Sequence, residues 1–142
     1  MEKESGEVCV SETGRKYTDY GYELLRKTLL PELLNGEHDA IMYWGGKLLA
    51  RKTPLDNIDE IPPFFERAGW GKIEKQKEGK NQWKYELQLM NDEKKPAFSR
   101  HLEAGFLAGQ FETLYKTAAE ATLEKKRNGI KIHVYIDPFR EH

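Results

Sequence analysis

Apolar and polar positions along the chain change their period near residue 70. Before that point the spacing is helical. Tyr22, Leu25, Leu29 and Leu33 recur every three or four positions within Tyr17 to Leu34, and Pro31 should kink that segment or restart a turn. Asn35-Gly36 closes it. Asp39 to Lys52 reads as a second helix, with Asp39 as N-cap and Ile41, Trp44, Leu48 and Lys52 on one face. Thr53-Pro54 ends it. Asp59 to Ala68 is a third, short helix; its first turn accommodates Pro62 and Pro63, and Ile61, Phe64, Phe65 and Ala68 form its apolar face. Gly69 stops it.

After Gly71 the period becomes two. Lys72 to Lys77 is a polar edge strand, Glu78 to Asn81 a turn, and Trp83, Tyr85, Leu87 and Leu89 alternate with polar residues in a half-buried strand. Lys94-Lys95-Pro96 breaks the pattern. Phe98 to Tyr115 returns to helical spacing. Ser99 is its cap, Phe98, Leu102, Phe106 and Leu107 form its apolar side, and Ala104, Gly105, Ala108 and Gly109 form a patch without bulk. A last hairpin follows. Ala119, Ala121 and Leu123 alternate on one strand and Ile130, Ile132, Val134 and Ile136 on the other, with Asn128-Gly129 as the expected centre of a type I′ turn.

The order helix, helix, helix, hairpin, helix, hairpin predicts an α+β fold. Helices cover one face of a four-stranded antiparallel sheet in two layers. Met1 to Lys16 lacks periodicity and is expected to be a flexible tail, although Val8-Cys9-Val10 could add an edge strand. Residues 17–142 then form a single domain, a size that 142 residues in all permit.

Composition narrows the function. Lys plus Arg number 23 against 24 Asp plus Glu, a net charge of −1, so no overall field favours nucleic acid. Lys125-Lys126-Arg127 has acidic neighbours and reads as a solvated turn. No segment approaches the roughly 18 apolar residues of a membrane span. The single cysteine, Cys9, can form no intrachain disulfide and suits a cytoplasmic protein. His38, His101, His133 and His142 are scattered, so neither a metal site nor a cofactor is expected. Nucleophile motifs and phosphate-binding loops are absent, and an enzyme is not expected. Glu103 is the one carboxylate with two readings, a helix-surface or capping group or a contact to a ligand.

Two groups of residues remain as candidate sites. Trp44, Phe64, Phe65, Trp70 and Phe106 could line an apolar pocket or be plain core. Gly45 and Gly46 in mid-helix, and Gly105 and Gly109 at GxxxG spacing, suggest close helix packing.

Three segments resemble the signature stretches of the YslB-like family of bacterial proteins: Tyr43-Trp44-Gly45-Gly46-Lys47-Leu48-Leu49-Ala50-Arg51, Phe64-Phe65-Glu66-Arg67-Ala68-Gly69-Trp70-Gly71 and Leu102 to Gln110. The second half also resembles the four-vinyl-reductase domain, whose E-x-G-x-x-A-G helix is matched by Glu103 to Gly109. That superfamily includes the TRAPP vesicle-tethering subunits and nitric-oxide-binding haem domains. The resemblance implies a TRAPP-like sandwich, dimerisation through helices and a hydrophobic cavity. It does not extend to zinc, since the last hairpin has no cysteine, nor to haem, since no helical histidine is suitably placed. Cys9 matches no acylated position. The expected protein is therefore a non-catalytic binding module for an apolar small molecule or lipid chain, and a homodimer. The alternative is a protein–protein interaction or scaffold subunit without a ligand.

Overall fold

The period-two half builds a four-stranded antiparallel sheet in the computed structural model, which describes residues 8–10, 16–88, 99–127 and 129–141. The chain divides into two compact units, residues 1–38 and 39–142. Residues 1–7 and 11–15 of the expected tail, Leu89, Lys94-Lys95-Pro96 and Phe98 lie outside the described residues.

In the first unit β1 (Val8–Val10) pairs antiparallel with β2 (Lys16–Thr18), so Val8 to Val10 and Lys16, expected to belong to a flexible tail, form a strand pair with Tyr17 and Thr18 just before the helix. Helix α1 (Asp19–Glu23) runs through a π-helical stretch, Leu24–Leu29, into α2 (Leu30–Leu33). Pro31 sits in the first turn of α2, where its missing N–H is tolerated. The widened stretch changes which side chains face inward. Leu25, Leu29 and Leu33, which share the helical spacing, are exposed, while Arg26 is buried with Nη1 donating to Tyr22 Oη at 2.7 Å.

The second unit opens with α3 (His38–Lys52), followed by a 3-10 turn, Ile58–Glu60, and α4 (Ile61–Ala68). Gly69 closes α4 with φ +79°, a conformation that favours a residue without Cβ. Then come β3 (Lys72–Glu78), β4 (Gln82–Gln88), α5 (His101–Tyr115), β5 (Thr117–Lys126) and β6 (Gly129–Glu141). The sheet order is β3-β4-β6-β5. Two sequence-local hairpins are thus joined by β4 and β6, with Trp83 opposite Val134, Tyr85 opposite Ile132 and Leu87 opposite Ile130. These six side chains point to the same face and are buried. Glu86, Lys131 and Glu124 occupy the other face.

In the last hairpin Lys126 pairs with Gly129, so Gly129, expected in the turn, belongs to the strand, and Asn128 lies outside the described residues. Gly129 is required for a different reason: a Cβ there would lie 2.7 Å from the Leu87 carbonyl oxygen of β4.

Helix α5 is buried from Glu103 through Phe111 without interruption, so it has no solvent face over that stretch. The sheet covers one side of it and α3 another. The described helices include none long and apolar enough to cross a membrane.

Candidate functional site

The contact between α3 and α5 is made of missing side chains. A Cβ on Gly46 would lie 2.5 Å from Phe106 N and would clash with the Leu102 carbonyl oxygen. A Cβ on Gly105 would clash with the Tyr43 carbonyl oxygen, and one on Gly109 would lie 2.7 Å from the Ala50 Cβ. Backbone therefore meets backbone at these three positions. Gly45, named with them from the sequence, does not take part: its Cβ would meet only Leu102 Cδ1, at an ordinary 3.8 Å.

Four of the five aromatic residues named for a pocket come together. Phe64 stacks on Phe106 with ring centroids 4.6 Å apart, and Trp70 meets Phe65, Phe106 and Phe64 edge-on at 5.0, 5.2 and 5.6 Å. These separations are those of rings in mutual contact. The cluster ties α4, Trp70 ahead of β3, and α5 to one another. Trp44 is the correction. It stands on the opposite side of α3 from Gly46, with its surface 73% exposed. Ile41 and Leu48, at the same helical phase, are also exposed. The face marked by these residues is the outer one, because α3 turns its small residues, Gly46 and Ala50, toward α5.

The buried polar groups explain the rest of the geometry. Arg100 and Glu103 are 5% and 0% exposed, and Arg100 Nη1 donates to Glu103 Oε2 and to the Trp70 carbonyl, each at 2.8 Å. Glu103 is thereby held in an ion pair at the start of α5, which accounts for the carboxylate that the sequence left with two readings. Gln110 was not singled out from the sequence. Its Oε1 accepts from Leu55 N–H at 3.0 Å and its Nε2 donates to the Thr53 carbonyl at 2.9 Å, clamping the segment after α3. A polar residue within an otherwise apolar helical stretch was the signal available for it.

A shallow groove of about 550 Å³ runs beside the exposed stripe, lined by Asp39, Tyr43, Trp44, Lys47, His101 and Glu120 among others. Lys47 Nζ is bound to Glu112 Oε2 at 2.8 Å and to the Ala119 carbonyl at 3.1 Å. Tyr43 Oη accepts from Ala121 N–H at 3.0 Å, and burial pushes its hydroxyl above the ordinary tyrosine range, partly offset by that hydrogen bond. Ser99, His101 and Asp39 also meet here, but not as a relay. Ser99 Oγ and Asp39 Oδ1 lie 3.0 and 3.4 Å from the same ring nitrogen, Nδ1. A nucleophile and an orienting acid need opposite nitrogens of the imidazole. Ser99 Oγ accepts from His101 N–H at 3.2 Å, but Ser99 is not the cap expected of it: the N-cap of α5 is Arg100, with no side-chain cap hydrogen bond.

Residues 19–136 match the profile of a family described as protein of unknown function (DUF2507). The chain is 38% identical over 119 residues to the uncharacterized protein YslB of Bacillus subtilis (strain 168), spanning 80% of this chain and 79% of that one. Among solved structures it is similar to a vinyl-4-reductase family protein from Methanocaldococcus jannaschii. That match has a TM-score of 0.64, an identity of 15% and coverage of 87% of this chain and 83% of the other. At that identity the likeness concerns the fold, and the vinyl-4-reductase-like architecture is that of this chain.

Proposed function

The chain belongs to the DUF2507 family, within which we propose that it acts as a non-catalytic protein–protein interaction module that pairs with a second copy of itself through the outer face of α3. The observation that carries this reading is the stripe of Ile41, Trp44 and Leu48, all exposed along one side of the helix. A tryptophan left in water forgoes a large burial energy, and tryptophan is prominent among residues that anchor interfaces. The stripe is self-complementary. In an antiparallel pairing centred beside Trp44, Ile41 would oppose Leu48 of the second copy, and Trp44 would lie over the second copy's Gly45. That placement gives Gly45 a use that packing within the chain does not. The charges agree: Asp39 lies in the first turn of α3, and Arg51 and Lys52 in the last. A twofold axis would bring opposite ends together.

A site for an apolar small molecule or lipid chain has less support at the residues first named for it. Four of those rings are in contact with one another and the fifth faces outward. This reading assigns the protein no catalysis, and a cytoplasmic setting suits the lone cysteine.

Analytical ultracentrifugation tests the proposal. The expected outcome is a dimer that Trp44→Glu dissociates, raising Kd by at least about 30-fold, the equivalent of a hot-spot residue. An unaltered chain that stays monomeric at about 100 μM, where any dimer tighter than about 1 μM would be assembled, would sink it.

A further inference from the structure

The outer edge of β5 is closed along half its length and open along the rest. Ala119 N–H and Ala121 N–H point away from β6 and donate to Glu112 Oε2 and Tyr43 Oη, at 3.3 and 3.0 Å, while the Ala119 carbonyl accepts from Lys47 Nζ. Side chains of α3 and α5 thus stand in for a neighbouring strand. The pairing of β5 with β6 continues unbroken from Ala119↔Ile136 to Lys126↔Gly129. The alternation of an antiparallel ladder therefore turns the N–H and C=O of Leu123 and Lys125 to the same outer side. Among the described residues no hydrogen bond reaches them.

Beside this open half lies a cleft of about 270 Å³, with Leu123 and Ile130 as apolar lining and Asp39, His101 and Lys125 as polar lining. The basic run at the end of β5 also has a use here. Lys126 is held by Glu124 at 3.0 Å, but neither Lys125 nor Arg127 is in an ion pair among the described residues.

We propose that the edge from Leu123 to Arg127 receives an acidic, extended peptide segment of a partner protein as an added strand. Two outward residues of unpaired backbone at ladder spacing match an extended chain, and alternate side chains of that chain would face the cleft. Lys125 and Arg127 select the charge. They oppose edge-to-edge pairing of two copies, since like charges would meet across the new ladder, and they favour carboxylates at the same place. The edge residues Leu123 to Arg127 are no part of the α3 stripe of Ile41, Trp44 and Leu48, so the proposal does not depend on dimerisation.

The test uses the full-length isotope-labelled chain and a capped octapeptide of alternating valine and glutamate. Amide exchange of Leu123 and Lys125 should slow at least about tenfold on saturation, with Ala119 and Ala121 unchanged because they are already bonded. An alternating valine–lysine peptide should bind at least about tenfold more weakly, and added salt should weaken the acidic one. Leu123→Pro deletes an outward N–H without removing a ladder bond and should abolish the slowing. Lys125→Glu with Arg127→Glu, which leaves the backbone intact, should do the same if the proline variant misfolds. No slowing at saturating peptide, or equal binding of the lysine peptide, overturns the proposal. Protection that rises with protein concentration alone would give the edge to a second copy and overturn it too.

Discussion

Adding one methyl group at each helix glycine separates positions that look alike in the sequence. At Gly46 and Gly105 the new Cβ would enter the backbone of the facing helix. Gly46→Ala and Gly105→Ala should each lower stability by at least about 2 kcal/mol in urea unfolding, since rigid backbone cannot yield to overpacking. Gly45→Ala meets only the tip of Leu102. It should stabilise the monomer by about 1 kcal/mol through helix propensity, yet weaken the dimer by filling the place opposite Trp44. A dimer unaffected by Gly45→Ala would speak against the α3 pairing. The Arg100–Glu103 pair gives a second residue-scale expectation. Glu103→Ala leaves the Arg100 charge buried without its carboxylate, and should cost roughly 3–5 kcal/mol, read as a lower urea midpoint with unchanged slope.

At the scale of elements, two contacts hold strands and helices in place through polar atoms. Gln110 satisfies Leu55 N–H and the Thr53 carbonyl from the middle of α5. Gln110→Leu keeps the apolar helix but strands both backbone groups, and about 2–4 kcal/mol of stability should be lost. On the polar face of the sheet, Glu124 of β5 bonds to His133 of β6 at 3.1 Å. The hydrogen bond from His133, then that from Lys126, holds the Glu124 carboxyl below the usual carboxylate range. Its folded pKa is thus below its unfolded one. Its stabilising contribution is present above the unfolded value and fades as pH falls through the folded value. An NMR titration of Glu124 should show the depressed midpoint, and His133→Ala should move it upward. No movement would mean that the His133 contact does not set it.

For the whole molecule the open matter is which surface meets another chain. If α3 pairs antiparallel about a twofold axis, Ile41 of one copy lies near Leu48 of the other. In a Cys9→Ser background, a mixture of Ile41→Cys and Leu48→Cys chains should be joined by a short bis-maleimide between the two variants more readily than within either one. Preferential joining of Ile41→Cys to itself would instead indicate a parallel arrangement and overturn the axis. The vinyl-4-reductase-like fold leaves this undecided, because unrelated activities share one fold and the site lies in particular side chains.

Residues that follow local rules were legible in the chain. The period change near Gly71, the alternation through Trp83, Tyr85 and Leu87, and the stop at Gly69 express spacing and backbone sterics, and these act within a few positions. They fixed the α+β class and the two hairpins. Orientation was not legible. Ile41, Trp44 and Leu48 repeat at helical phase whether that phase meets the core or water, and the choice was made by Gly46 and Ala50 fitting against α5. Likewise Glu103 and Gln110 became interior residues only because Arg100 and the Thr53–Leu55 backbone came within hydrogen-bonding distance. Burial and pairing depend on partners distant in sequence, so tertiary packing decided them.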